Sequence, residues 1–256
     1  MLSRRSLFSA FVVLLLASPA LSDTISITIP NGNFVSPDAS SYVALPGATN
    51  WQTSPPPNWW AGTGATADEW YQQVGVFYNN PGYEWIDNAG TQAAFMLDTP
   101  GLALSQQLTN TFQVGKSYTL SAGIAGGSGG MLQGTQMEFG LYYVDGSGNQ
   151  QIFATTTVTS GPTLPANGYV TDLPNYQLTI PAVAASDAWA GQNIGVALIQ
   201  PYTAPGDQSY WDIGNVQLTA TAVPEPGTMA LFVAGLGVLV LRRRWSLGKQ
   251  TSAAPD

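Results

Sequence analysis

Between residues 23 and 222 the chain is built from short stretches in which apolar and polar positions alternate. The residues 118–124 read Tyr-Thr-Leu-Ser-Ala-Gly-Ile, and 26–29 alternate in the same way. A period of two puts every second side chain on one face of a strand. Strand-like stretches follow at 94–97, 102–108, 137–144, 152–158, 176–180, 193–200 and 210–219. Clusters rich in Gly, Pro, Asn and Asp separate them, at 79–82, 126–130, 145–149, 165–168 and 201–206. Such clusters supply the backbone conformations that turns require. Only Thr66 to Val76 offers one or two helical turns. Nine strands with these breakers predict an all-β fold, an antiparallel β-sandwich of the jelly-roll kind.

The ends follow a different pattern. Residues 1–22 carry Arg4 and Arg5, then a mostly apolar run from Leu7 to Leu16, then Ala20-Leu21-Ser22. That order is the layout of a signal peptide, cleaved by signal peptidase near Asp23. At the other end Pro224-Glu225-Pro226 precedes apolar residues 228–241 and the basic run Arg242-Arg243-Arg244. As a helix, 14 residues rise roughly 21 Å at ~1.5 Å each. A ~30 Å hydrocarbon core then needs snorkelling arginines and the interfacial Trp245 to complete a transmembrane helix. Arginines at both ends stay cytoplasmic, which places 23–222 beyond the inner membrane. Prolines on either side of Glu225 disfavour helix and keep the strip extended and accessible. Residues 246–256 are small and polar, as in a disordered tail.

This C-terminal arrangement resembles the PEP-CTERM sorting signal of Gram-negative bacteria, with Pro224, Glu225 and Pro226 as its motif. The resemblance implies processing by an exosortase-type protease, with release or attachment at the surface. It also implies association with exopolysaccharide, extracellular-matrix or biofilm material.

Composition narrows the chemistry of 23–222. That stretch has Lys116 as its one basic residue against 13 Asp and Glu, a formal charge of −12, with no Arg, His or Cys. Serine–histidine and cysteine–histidine catalysis, imidazole or thiolate zinc sites and arginine phosphate clamps are therefore excluded. Nucleic-acid binding is excluded too, because phosphates need Lys and Arg to neutralise them. Gly115-Lys116-Ser117 precedes a strand and lacks the glycine pattern of a phosphate loop.

Three motifs stand in order along the domain: Asn31-Gly32-Asn33-Phe34; then 104–108 leading to Gly115-Lys116-Ser117-Tyr118-Thr119-Leu120-Ser121; then Trp211-Asp212-Ile213-Gly214-Asn215-Val216-Gln217-Leu218. The set resembles jelly-roll carbohydrate-binding modules of the galactose-binding-like class. Many such domains hold calcium with an acid after the opening Phe and another before the closing Asn-Val. Val35 and Gly214 occupy those positions here. Calcium prefers several hard oxygens, so the double loss argues against that ion. Asn31, Asp38 and Asp212 are the groups left that could hold one, and no other cofactor is expected.

The aromatic segment 50–85 holds Trp51, Trp59, Trp60, Trp70 and Trp85, with Tyr83 among its further rings. Sugar C–H faces lie on aromatic rings, and neighbouring amides and carboxylates pair with hydroxyls. Trp59, Trp60, Trp70, Tyr83 and Trp85 are thus the candidate ligand-binding rings. Trp59-Trp60 is read as an extended loop whose two rings point apart. The same rings could instead roof the core, since Trp is heavily buried on average. Catalysis would rest on carboxylates, with Asp212, Glu69 and Glu84 as candidates and Glu138 as the remaining glutamate of the domain. A glycosidase needs two of them in register. Some domains of this sandwich type are cyclases with a carboxylic acid as proton donor, a role that would fall to Asp212 beside Trp211 and Tyr210. The leading expectation is a non-catalytic surface or matrix protein that binds extracellular polysaccharide. The alternatives are a carboxylate-dependent glycosidase or cyclase-like enzyme and a purely structural surface protein.

Overall fold

The computed structural model describes residues 23–45, 47–79, 90–126, 130–164, 170–202, 209–223 and 235. Residues 1–22, where a signal peptide is expected, Tyr83, Glu84, Trp85, Pro224, Glu225, Pro226, the apolar segment 228–241 and residues 246–256 lie outside the described residues, Gly235 excepted. Two units divide the chain, residues 24–220 and the combined ends 1–23 and 221–256. The first of these holds the sandwich.

Its strands are β1 (Thr24–Ile27), β2 (Tyr42–Val43), β3 (Gln52–Thr53), β4 (Val74–Tyr78), β5 (Gln92–Leu97), β6 (Ala103–Thr111) and β7 (Lys116–Gly126). They continue with β8 (Gln136–Val144), β9 (Gln150–Thr159), β10 (Asn175–Ile180), β11 (Asn193–Ile199) and β12 (Tyr210–Ala222). Two helical turns, α1 (Asn58–Ala61) and α2 (Ala67–Tyr71), lie between β3 and β4. The larger sheet has seven strands, ordered β10-β7-β12-β5-β4-β2, with β1 also paired to β12. The smaller has five, ordered β3-β6-β11-β8-β9. The antiparallel sandwich expected from alternation is the fold observed.

The core between the sheets follows from that alternation. Leu120, Ala122 and Ile124 of β7 point inward, as do Met137, Phe139 and Leu141 of β8 and Ile194, Val196 and Leu198 of β11. On β12 the inward set changes from Trp211 and Ile213 to Val216, Leu218 and Ala220. The change falls at Gly214–Asn215, where Asn215 has a φ of 52°. One extra residue at such an irregularity reverses the faces beyond it.

Three short strands, β2, β3 and β4, fall outside the periodic stretches. The predicted helix over 66–76 stops at Tyr71, and Val74–Tyr78 is strand instead. Thr66 caps α2 in a capping box with Glu69, which defines where the helix begins. From Val74 onward, pairing with β5 takes over: Val74 lies opposite Met96 and Phe77 opposite Ala93.

Candidate functional site

Part of the larger sheet's outer side carries a second apolar cluster, separate from the main core. Phe77, Ala93, Phe95, Ala125 and Leu173 form it, with Ala44, Leu97, Val170 and Tyr210 packed around. Its origin is local. In β5 the sequence Gln-Ala-Ala-Phe-Met-Leu is buried almost throughout. Ala94 and Met96 enter the main core, and Ala93 and Phe95 enter the outer cluster. A strand buried on both faces carries a continuous apolar run rather than alternation.

Asp212 sits in this cluster. Its register partner on β5 is Phe95, and directly opposed residues of an antiparallel pair share a face. Trp211 and Ile213 on either side of it point into the main core. Asp212 is 1% exposed. Burying a carboxyl group is costly unless it is hydrogen-bonded or paired.

Small residues shape the floor beside it. A Cβ on Gly75 would lie 2.7 Å from a Phe95 ring carbon and 2.8 Å from Ala44 Cα. The Phe95 ring therefore rests on β4 where only glycine leaves room. A Cβ on Gly123 would come 3.1 Å from Leu173 and 3.3 Å from the Gly214 carbonyl. The segment around Leu173 thus forms one wall and the end of β2 the other. From the β2 side an aromatic lane leads inward. Tyr42, 55% exposed, stacks on Phe77 at 5.8 Å and meets Phe95 edge-on at 5.7 Å.

The other sequence candidates take different places. Glu69 spends its carboxylate on the helix cap: it accepts from the Thr66 amide at 2.6 Å and the Thr66 hydroxyl at 2.9 Å. The backbone bond, and then the hydroxyl, hold its carboxyl below the usual range, so it stays ionised as a cap and is unsuited to be an acid. Glu138 lies on β8 of the smaller sheet. Asn31 closes its own loop, donating to the Ser36 carbonyl at 2.7 Å and the Thr49 carbonyl at 2.9 Å and accepting from the Ser36 amide. Asp38 is exposed. Gly32 is bonded to Val216, four residues beyond Asp212 on β12, or about 13 Å at ~3.3 Å per residue. The strand therefore holds Asn31 and Asp212 apart. Among the described residues no three acidic side chains gather in one place.

Three indoles of the aromatic segment, those of Trp59, Trp60 and Trp70, meet edge to face in one group. Trp59 and Trp60 lie in α1, a helical turn rather than the extended loop expected, and their rings meet edge-on at 5.7 Å instead of pointing apart. Trp60 and Trp70 are 5.2 Å apart. Trp70 has no exposed surface and donates from its indole nitrogen to the Ser54 carbonyl at 2.6 Å. It packs into the main core, whereas Trp59 is 41% exposed. A Pro-Pro-Pro run ahead of Asn58 and the Thr66 cap bound the two turns, and the three rings fill the space between them. Trp51 is also buried, stacked on Phe34 at 5.3 Å.

Sequence reading singled out Asp212 and counted Phe77 among the rings of the aromatic segment, but passed over Tyr42, Phe95 and the small residues around them. The unbroken apolar run of β5 was the signal available.

Over residues 25–219 the sequence matches the HpiC1-like family, described as HpiC1 cyclase, and over 222–244 the PEP-CTERM protein-sorting motif. No curated protein matches. Among solved structures, a cyclase from Fischerella sp. TAU is 20% identical with a TM-score of 0.58, covering 79% of this chain and 100% of that one. A cyclase from the same organism, in complex with 4-(1H-indol-3-yl)butan-2-one, is 21% identical with a TM-score of 0.57, covering 78% and 100%. The CBM22-1 xylan-binding domain from Paenibacillus barcinonensis is 12% identical with a TM-score of 0.40, covering 70% and 90%. The two cyclases share the fold. The sorting motif marks the chain for export and for processing by an exosortase-type protease.

Proposed function

We propose a function from one plain premise: the chain belongs to the HpiC1-like cyclase family. Its sandwich works outside the cytoplasm, takes a small apolar unsaturated molecule into the outer cluster of the larger sheet, and protonates it from Asp212. The observation that carries this is Asp212 itself, 1% exposed and opposite Phe95 among apolar side chains. The bound indolyl ketone of the Fischerella cyclase supports a ligand of that shape on this fold.

The chemistry asked of the site is an isomerisation. Asp212 adds a proton to a carbon–carbon double bond. The cation left behind closes a ring, and the carboxylate takes a proton back from the product. Atoms and charge balance without a further reactant. Aromatic faces stabilise cations, and Phe77, Phe95 and Tyr42 supply them along the lane. Excluding water keeps the cation from being trapped and leaves the charges unscreened.

The experiment runs in heavy water. Binding of 4-(1H-indol-3-yl)butan-2-one is measured by calorimetry, and a panel of prenylated and alkenyl aromatics is scored by mass spectrometry for rearranged product carrying deuterium on carbon. Deuterium uptake that disappears in Asp212→Asn, with melting temperature and ligand affinity held, is the expected result. Absence of both binding and uptake in the parent overturns the reading, as does uptake that survives Asp212→Asn.

A second reading keeps the glycan. Its support is Trp59, 41% exposed beside Trp60, on a domain followed by an export and sorting motif. Glycan-array binding lost in Trp59→Ala, with Asp212→Asn unaffected, would favour it; an array without signal would remove it.

A further inference from the structure

A hollow of about 400 Å³ lies beside the Asp212 cluster and shares Ala125 and Val170 with it. Ile124 at the end of β7, Val158 at the end of β9, Leu164, Val170 and Tyr176 line it, and Asp172 is its carboxylate. The walls are therefore largely apolar, with one phenol ring and one acid. Pockets for small organic molecules begin near this size.

Charge decides what could enter. Lys116 is the only basic residue of 23–222, and it opens β7 while the hollow sits at that strand's other end. The eight residues from Lys116 to Ile124 at ~3.3 Å each place it about 26 Å away. An anion would find no counter-charge here and would meet a domain of formal charge −12. The same field concentrates cations, and a phenol face attracts an ammonium group. We propose that this hollow binds a small organic cation, an ammonium carried on an apolar body. The ammonium pairs with Asp172, and the body lies against Leu164, Val170 and Tyr176. The proposal stands apart from proton transfer by Asp212 and does not depend on it.

The test titrates 2-phenylethylammonium and the neutral 2-phenylethanol into the full chain at low ionic strength, by calorimetry. The cation should bind once per chain and about three- to fivefold tighter than the alcohol, as an exposed charge pair allows. Raising the salt should shrink that preference. Asp172→Asn, a surface change, should abolish it. Gly161 also lines the hollow, and no atom lies within 4 Å of a Cβ built there. Gly161→Trp should therefore fill the space and remove binding of both probes with the melting temperature unchanged. Asp212→Asn should leave the titration as it was, which separates this site from the other. Equal binding of cation and alcohol overturns the proposal, as does preference retained in Asp172→Asn or loss of binding in Asp212→Asn.

Discussion

Gly75→Ala pits two opposed effects against each other, so even the sign of its stability change is informative. Glycine leaves the unfolded chain more freedom than alanine, and on that ground alone the substitution stabilises by about 0.4–1 kcal/mol. The native surroundings say the reverse. The added Cβ would sit 2.8 Å from Ala44 Cα and 2.7 Å from a Phe95 ring carbon, and closer still to the Val43 carbonyl oxygen. Carbon atoms pack best at about 3.5–4.0 Å. Phe95 can swing aside, but Val43 and Ala44 present backbone, and they clear only if β2 lifts from β4. Overpacking of this kind costs about 1–3 kcal/mol, and backbone contacts put Gly75 in the upper part of that range. The net is a destabilisation of about 2 kcal/mol, or roughly 4–8 °C in melting temperature for a domain of this size. Urea titration measures it, with an unchanged slope expected because the surface exposed on unfolding is the same. Gly146→Ala is the control: no atom lies within 4 Å of a Cβ at that position, and it should be neutral or slightly stabilising. Displaced Phe95 should also weaken binding of the indolyl ketone in Gly75→Ala. A Gly75→Ala protein as stable as its parent would refute the close approach of β2 and the outer cluster built on it.

Three further outcomes can be checked directly. Trp70→Ala removes a fully buried ring and should cost about 3–5 kcal/mol, whereas Trp59→Ala, at a ring 41% exposed, should stay within about 1 kcal/mol; equal losses in chemical denaturation would contradict the layered group. The turn between β8 and β9 should loosen in acid. Asp145 accepts from the Asn149 amide at 3.0 Å, from the Ser147 amide at 2.9 Å and from Gln151 at 2.8 Å, and the Asn149 bond above all holds its carboxyl below the ordinary value. A lowered folded value means that the support is present above the usual carboxylate range and is lost as pH falls through the lowered value. Protection of the Ser147 and Asn149 amides relative to their intrinsic exchange rates should therefore fall in that window in the parent and stay flat in Asp145→Asn; a flat parent protection profile would show the bonds to be idle. Replacing Pro224, Glu225 and Pro226 together by alanine should leave unprocessed full-length protein in the membrane fraction, and normal release would separate sorting from the motif.

Alternation alone determined the fold class. Nine stretches of alternating or apolar character became nine strands because each has one face to bury and glycine- or asparagine-rich turns to stop it. The sorting signal was legible for a related reason: proline, an apolar run and arginines act through their order along the chain, with no partner needed from elsewhere. Charge did similar work, since a domain without His, Cys or Arg cannot assemble sites that require them in any fold.

What the tertiary structure decided was which faces are doubly covered. Alternation says that Phe95 and Met96 point opposite ways, but not that both directions end in apolar surroundings. That depends on β2, Leu173 and Val170 arriving from distant parts of the chain. β2, β3 and β4 are too short or too uniformly apolar to announce themselves, and they form because longer neighbours offer edges to pair with. Trp59, Trp60 and Trp70 look equivalent in sequence, yet only packing separates the ring in the core from the ring at the surface. Asp212 is one acid among 13 until Phe95 stands opposite it. Its setting is a property of residues more than a hundred positions apart, brought together by strand register, and no local pattern encodes it.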